Sequence, residues 1–276
     1  MNNILVPTDF SEYALKSAES ALRLAQQSNA TVYLFHAYTA FQSGFQSEND
    51  NERDEQRALE EAEHGMASFL KDVSGFFFDV TIKTICQRGN IVGLIRELTK
   101  EISVDLIVMS TGGATGLKYQ FIGTNTYDVA ESLSIPLLAV PIGAEHIDLA
   151  NIAFFTDYRP EDHQTITSLY SLFGSEQINY WVVHIHEKEQ QPKDEDFKKL
   201  AAYTMELQAN TPIVNIDWKL VHGKENITIV QKVIDTLSGD ILAITMAERN
   251  LFDRLLDKSL SKEIVMQAKI PVFIGR

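Results

Sequence analysis

Cysteine is nearly missing from this chain. Cys86 is the only one among 276 residues, so no intrachain disulfide can form. Basic residues are also scarce. Lys and Arg total 24 against 38 Asp and Glu, a formal charge of −14. They gather into no stripe, so no nucleic-acid partner is expected. No apolar run approaches the roughly 20 residues of a membrane-spanning helix, so no membrane partner is expected either. The opening "MNNILVPTDF" has neither a charged n-region nor a long apolar core. The expectation is a soluble, cytoplasmic protein. Two phosphate-binding signatures are also missing. Gly223-Lys224 lacks the upstream glycine and the following Ser or Thr of a Walker A loop. No G-x-G-x-x-G follows the first apolar run, which leaves a Rossmann dinucleotide site unsupported.

What is present is a repeat. "ILVPTDF" (4–10) resembles "IAFFTDY" (152–158), and "VYLFHAY" (32–38) resembles "YWVVHIH" (180–186). "VDLIVMS" (104–110) resembles "GDILAIT" (239–245), and "SIPLLAVP" (134–141) resembles "KIPVFIGR" (269–276). Asp9 to Asp157 and His36 to His184 are both 148 residues. Asp105 to Asp240 and Pro136 to Pro271 are both 135. The change of 13 places extra residues in the first repeat, within the polar "TAFQSGFQSENDNERDEQ" (39–56). That stretch is expected to be a solvated loop running into a helix.

Each repeat reads as strand, helix, strand, helix, strand, helix, strand, loop, helix, strand. The strands are short and nearly continuous in apolar residues, as in a parallel sheet buried on both faces. Between them lie amphipathic stretches at 11–28, 55–73 and 90–102. The first puts Ala14, Ala18, Ala21, Leu22 and Leu24 near one face. The fold class is therefore α/β, two repeated doubly wound parallel-sheet domains. The boundary falls near "IGAEHIDLAN" (142–151), giving domains 1–143 and 150–276.

In such sheets ligands bind beyond the carboxyl ends of the strands. Asp9 ends the first strand there. After the fourth strand comes "STGGATGLKYQFIGTNT" (110–126), leading into a helix near 125–133. Glycine lets backbone N–H groups approach phosphate oxygens and tolerates positive φ. Thr124 sits near a helix N-terminus, where free N–H groups favour an anion. This chemistry can hold a polyphosphate, although many such loops are merely tight turns.

"ILVPTDFSEYALKSAESALRLA", "LFHAY", "QRGN" and "DLIVMSTGGATGLKYQFIGTNTYDVAESLSIPLLAVP" resemble the universal stress protein family, and the whole chain resembles a tandem member. Nucleotide-binding members share G-x2-G-x9-G-[ST]. Here it reads Ser110-x2-Gly113-x9-Gly123-Thr124, with serine in place of the first glycine. The resemblance implies the adenine nucleotide alpha hydrolase-like fold. It also implies an adenine nucleotide, ATP or AMP, with Mg²⁺ as a companion ion. The implied site is Pro7, Thr8, Asp9, Ala37, Met109, Ser110, Gly113, Gly123, Thr124 and Asn125, with Asp9 near the adenine or ribose. In the second repeat Ser110, Gly113, Gly123 and Thr124 map to Thr245, Glu248, Lys258 and Ser259. Both glycines are lost and a carboxylate would face a phosphate, so that site reads as lost or changed. Family members commonly dimerise through the last strand. "IPLLAVP" and "IPVFIG" are accordingly expected to pair within one chain, as a built-in dimer covering the sheet edges. A homodimer and an unnamed protein partner are the other associations implied.

Three functions follow, in order. The first is a stress-response regulatory protein binding an adenine nucleotide in its first domain. The second is an interaction module without nucleotide. The third is a slow ATPase, ranked last because no general base is evident. Among smaller features, His184 and His186 share a strand face but show no third metal ligand. Cys86 falls on a strand and reads as a buried thiol. Ser11 after Asp9 reads as a helix N-cap rather than a nucleophile. Trp181 and Trp218 fall on strands of the second repeat. "RNLFDRLLDKSLSKEIVMQA" (249–268) fits the last helix.

Overall fold

The computed structural model describes residues 1–40, 47–75, 79–112, 124–141, 143–144, 149–174, 177–187, 189–246 and 260–276. The chain divides into two compact units, Met1–Leu133 and Ser134–Arg276.

In the first unit the strands are β1 (Asn3–Pro7), β2 (Thr31–Tyr38), β3 (Ile82–Arg88) and β4 (Leu106–Ser110). Their order is β3-β2-β1-β4 and every pairing is parallel. The chain moves outward from β1 to β3, then returns to place β4 on the other side of β1. The direction of winding therefore reverses between β1 and β4. The helices are α1 (Glu12–Ser28), α2 (Glu48–Ser74), α3 (Ile91–Glu101) and α4 (Thr124–Ser132). Ile4, Leu5, Val6, Leu106, Ile107 and Val108 are fully buried, as central parallel strands require. The alanine face of α1 packs on them; Ala14, Ala18 and Ala21 are buried. Terminal β3 differs, with Lys83 and Thr84 exposed.

The expected loop at 39–56 is corrected in part, because α2 begins at Glu48. Ser47 accepts a hydrogen bond from the Asp50 N–H, and Glu48 and Asp50 favour the positive helix end.

The second unit contains β5 (Leu137–Val140), β6 (Asn151–Phe155), β7 (Asn179–His186), β8 (Ile216–His222), β9 (Ile241–Thr245) and β10 (Val272–Gly275). Their order is β5-β10-β9-β6-β7-β8, which repeats the reversal between β6 and β9. The helices are α5 (Asp162–Phe173), α6 (Asp194–Ala209), α7 (Ile227–Leu237) and α8 (Leu260–Gln267). The two final strands of the repeats pair antiparallel, with Ala139 opposite Val272 and Leu137 opposite Ile274. By sequence β5 belongs to the first repeat; by packing it lies in the second unit.

The repeat holds down to single hydrogen bonds. Asp105 accepts the N–H groups of Asn2 and Asn3, and Asp240 accepts those of Ala150 and Asn151. Gly89 and Gly223 take φ of 145° and 156°, a region that side chains disfavour, at the exits of β3 and β8. Asn90 and Asn226 then cap α3 and α7.

Candidate functional site

The β1 exit is built from three consecutive residues. Thr8 is buried, and its N–H donates to the Phe35 carbonyl at 2.8 Å, prolonging the β1–β2 ladder by one residue. Its hydroxyl oxygen accepts the Phe10 N–H at 3.0 Å. Phe10 adopts φ 63°, and this left-handed step turns the chain into α1. Asp9 is therefore exposed at the tip of the turn. Its Oδ1 accepts both the N–H and the hydroxyl of Ser11, at 3.1 and 2.6 Å. Ser11 Oγ in turn accepts the Ala14 N–H, so Ser11 is the N-cap of α1.

His36, near the end of β2, braces this turn. Its Nδ1 lies 2.7 Å from the Thr8 carbonyl. A carbonyl only accepts, so Nδ1 carries the proton. The Phe10 ring stacks on the imidazole, centroids 4.2 Å apart. Pro7 is buried and Ala37 half-buried beside these groups.

The β4 exit is tied down from the far side of the loop. Ser110 donates its hydroxyl to the Gly112 carbonyl at 2.7 Å. Thr126, buried in the first turn of α4, donates its own hydroxyl to the Ser110 carbonyl at 2.7 Å. Met109 is buried beneath, and Asn125 is exposed. Gly112 passes so close to α1 that a Cβ there would sit 2.2 Å from the Tyr13 ring. Pro7, Thr8, Asp9, Ala37, Met109, Ser110 and the start of α4 at Thr124 thus gather at strand ends around the reversal point. Gly113 and Gly123 lie outside the described residues, as do Glu248, Lys258 and Ser259. Sequence reasoning missed Gly112 and Thr126. Their partners, Tyr13 and Ser110, lie far along the chain, and no local pattern marks the pairs.

The sequence pattern of the universal stress protein family matches residues 1–141. The chain belongs to the universal stress protein family. Among relatives, a universal stress protein of Methanocaldococcus jannaschii is 28% identical over 138 residues, covering 50% of this chain and 80% of its own. A solved universal stress protein from Archaeoglobus fulgidus DSM 4304 superposes over 100% of this chain and 98% of its own, with TM-score 0.72 and 14% identity. A functionally unknown protein from Pseudomonas aeruginosa PAO1 covers 100% and 92%, with TM-score 0.61 and 14% identity. Similarity at that identity speaks for the fold alone. The universal stress protein fold is thus present along the full chain.

The second unit repeats the β1 exit at β6. Thr156 N–H donates to the Val183 carbonyl, and Thr156 Oγ1 accepts the Tyr158 N–H. Tyr158 has φ 59°, and His184 Nδ1 donates to the Thr156 carbonyl at 2.9 Å. Burial is the main cause that pushes the His184 pKa below its ordinary value. His186 is buried, its Nδ1 3.8 Å from Asp196 and its ring 6.0 Å from that of His222. Among the described residues no three His, Cys, Asp or Glu side chains are grouped for a metal. Cys86 is half-buried against the Ala62 carbonyl, and burial, then Glu63, raises its pKa, which disfavours the reactive thiolate. The described part of the last helix begins at Leu260; residues 247–259 lie outside the described residues.

Proposed function

We propose that the first unit binds one adenine nucleotide, ATP or AMP, and that the protein acts as a nucleotide-dependent regulator in a stress response. One observation carries the reading. The ends of β1, β2 and β4 meet where the winding reverses, and Thr126 fastens the start of α4 to the last residue of β4. Ligands of open α/β sheets bind at that place. Asp9 stands at the rim to accept a hydrogen bond from the adenosine part. Gly113 and Gly123 would let phosphates reach backbone N–H groups, and Thr124 opens α4 at the end where anions are favoured. Serine at 110 suits the role because its hydroxyl is already turned to Gly112 and adds only a small group. Mg²⁺ would accompany the phosphates. Family membership supports the reading.

Nucleotide released on denaturing freshly purified protein, identified by mass spectrometry, is the direct test. Calorimetry with ATP and AMP then gives the stoichiometry, expected to be one per chain. Two equivalent sites, or no binding of either nucleotide, would remove the proposal.

A further inference from the structure

β8 ends the strand order of the second unit, with β7 on one side and, among the described residues, no strand on the other. The Asn215 carbonyl and the Gly223 N–H both bond to β7. Backbone groups alternate sides along a strand, so those of Ile216, Trp218 and Leu220 point away from the sheet. The Trp218 N–H accordingly turns to the exposed carboxylate of Asp217, to which it donates at 2.7 Å. An open edge of this kind is a template for another strand.

The edge is apolar where its counterpart is polar. β3 is the equivalent strand, because Ile82 pairs with Val32 and Ile216 with Tyr180, 148 residues further on. Where β3 has Lys83 and Thr84, both exposed, β8 has Asp217 and Trp218. Among the described residues three large apolar side chains are exposed, Phe197, Met205 and Val214, at 39%, 70% and 68%. All three border β8. Phe197, Ala201 and Met205 recur every four residues and so form one stripe of α6. The Phe197 ring contacts that of Trp218, centroids 6.3 Å apart. Gln208, a turn beyond Met205, donates to the carbonyls of Ile213 and Val214 just ahead of β8. The stripe therefore lies on the β8 side of α6.

Charge identifies what this edge fits. Two copies of β8, paired antiparallel about a two-fold axis at Trp218, set Asp217 opposite Lys219 of the second copy, and Lys219 opposite its Asp217. Ile216 meets Leu220 in the same register. The Asp–Lys pairs fall at the non-hydrogen-bonded positions, where facing side chains are closest. The Trp218 N–H then donates to the Trp218 carbonyl across the axis, and Asp217 is released to Lys219. Moving the axis by one residue sets Lys219 against Lys219, or Asp217 against Asp217, which is unfavourable. One register of self-pairing is thus favoured over its neighbours. With strands about 4.8 Å apart, the two copies of α6 come side by side and their apolar stripes cover one another.

We propose that β8 and the adjoining stripe of α6 bind a second copy of this chain, the two β8 strands pairing about Trp218. The contact is isologous, so each copy supplies both the acid and the base.

Sedimentation equilibrium of the full-length protein is the test. A dimer is expected at about 100 μM chain. Lys219→Asp sets acids against acids and should raise the dissociation constant about tenfold or more; Asp217→Lys should do the same with bases. The double variant with both exchanges should dimerise again. So should an equimolar mixture of the two single variants, because each supplies the charge that the other lacks. Damage to the fold of one chain could not be repaired in that way. Met205→Glu, at a side chain already exposed, should weaken the dimer and serves if the β8 variants do not fold. A wild-type monomer would overturn the proposal and leave the edge to some other extended segment. A dimer indifferent to these changes, or one restored by neither the double variant nor the mixture, would overturn it as well.

Discussion

Thr126 donates its hydroxyl to the carbonyl of Ser110 across 2.7 Å, joining the two ends of the glycine loop with one part-buried bond. The bond sets where α4 begins relative to the end of β4. Thr126→Val keeps the shape and removes the donor, leaving a carbonyl without its partner. The expected loss is about 1–3 kcal/mol in urea unfolding. ATP affinity should fall with it, because the helix end proposed to face the phosphates is released. Thr126→Ser should restore both. Unchanged affinity in a destabilised Thr126→Val protein would separate the bond from the ligand site.

His184 gives a pH dependence with a definite sign. Burial lowers its pKa below the ordinary 6.5, so the unfolded chain takes up the proton first as pH falls. Stability contributed by neutral His184 is full above about pH 6.5 and is lost as pH drops from there toward the lowered folded value. His184→Asn keeps a donor for the Thr156 carbonyl and lacks this titration. Chemical denaturation between pH 5 and pH 8 should show a steeper fall on the acid side for wild type than for the variant.

Much of this was legible in the sequence, and the reason is geometric. Strands that pair in a fixed register tolerate no insertions, so the offsets of 148 and 135 survive and mark equivalent positions. The stacking of Phe10 on His36, and the tilted ring contact of Tyr158 with His184, could not be read there, because both depend on left-handed steps at Phe10 and Tyr158, residues that rarely adopt them. The early start of α2 was hidden by a charge run that looks solvated, yet Ser47 and its acids form an N-terminal cap. No local pattern marks Asp162. Its hydrogen bond from the Tyr203 hydroxyl spans 41 residues. The placement of β5 in the second unit follows from its pairing with β10, which no local pattern reports.

That pairing leads to a prediction about fragments. In residues 1–143, β5 loses the partner strand β10 and exposes the edge that it covered. The fragment should associate with a second copy of itself through β5. Sedimentation equilibrium should report a dimer that weakens when Leu138 is changed to proline. A strictly monomeric fragment at high concentration would contradict the role given to the final strands.

The central claim is that the glycine loop of the first unit exists for phosphate approach. The second repeat carries Glu248 where the first has Gly113. Gly113→Glu therefore places in the first unit a residue that the chain already accommodates in the second. Its carboxylate would oppose the phosphates, so ATP should suffer more than adenosine. The decisive measurement is ATP and adenosine affinity beside melting temperature for wild type and Gly113→Glu. The account predicts an unchanged melting temperature, a large loss of ATP binding and a smaller loss for adenosine. Equal ATP affinity in the two proteins would contradict it and leave the loop as a turn between β4 and α4.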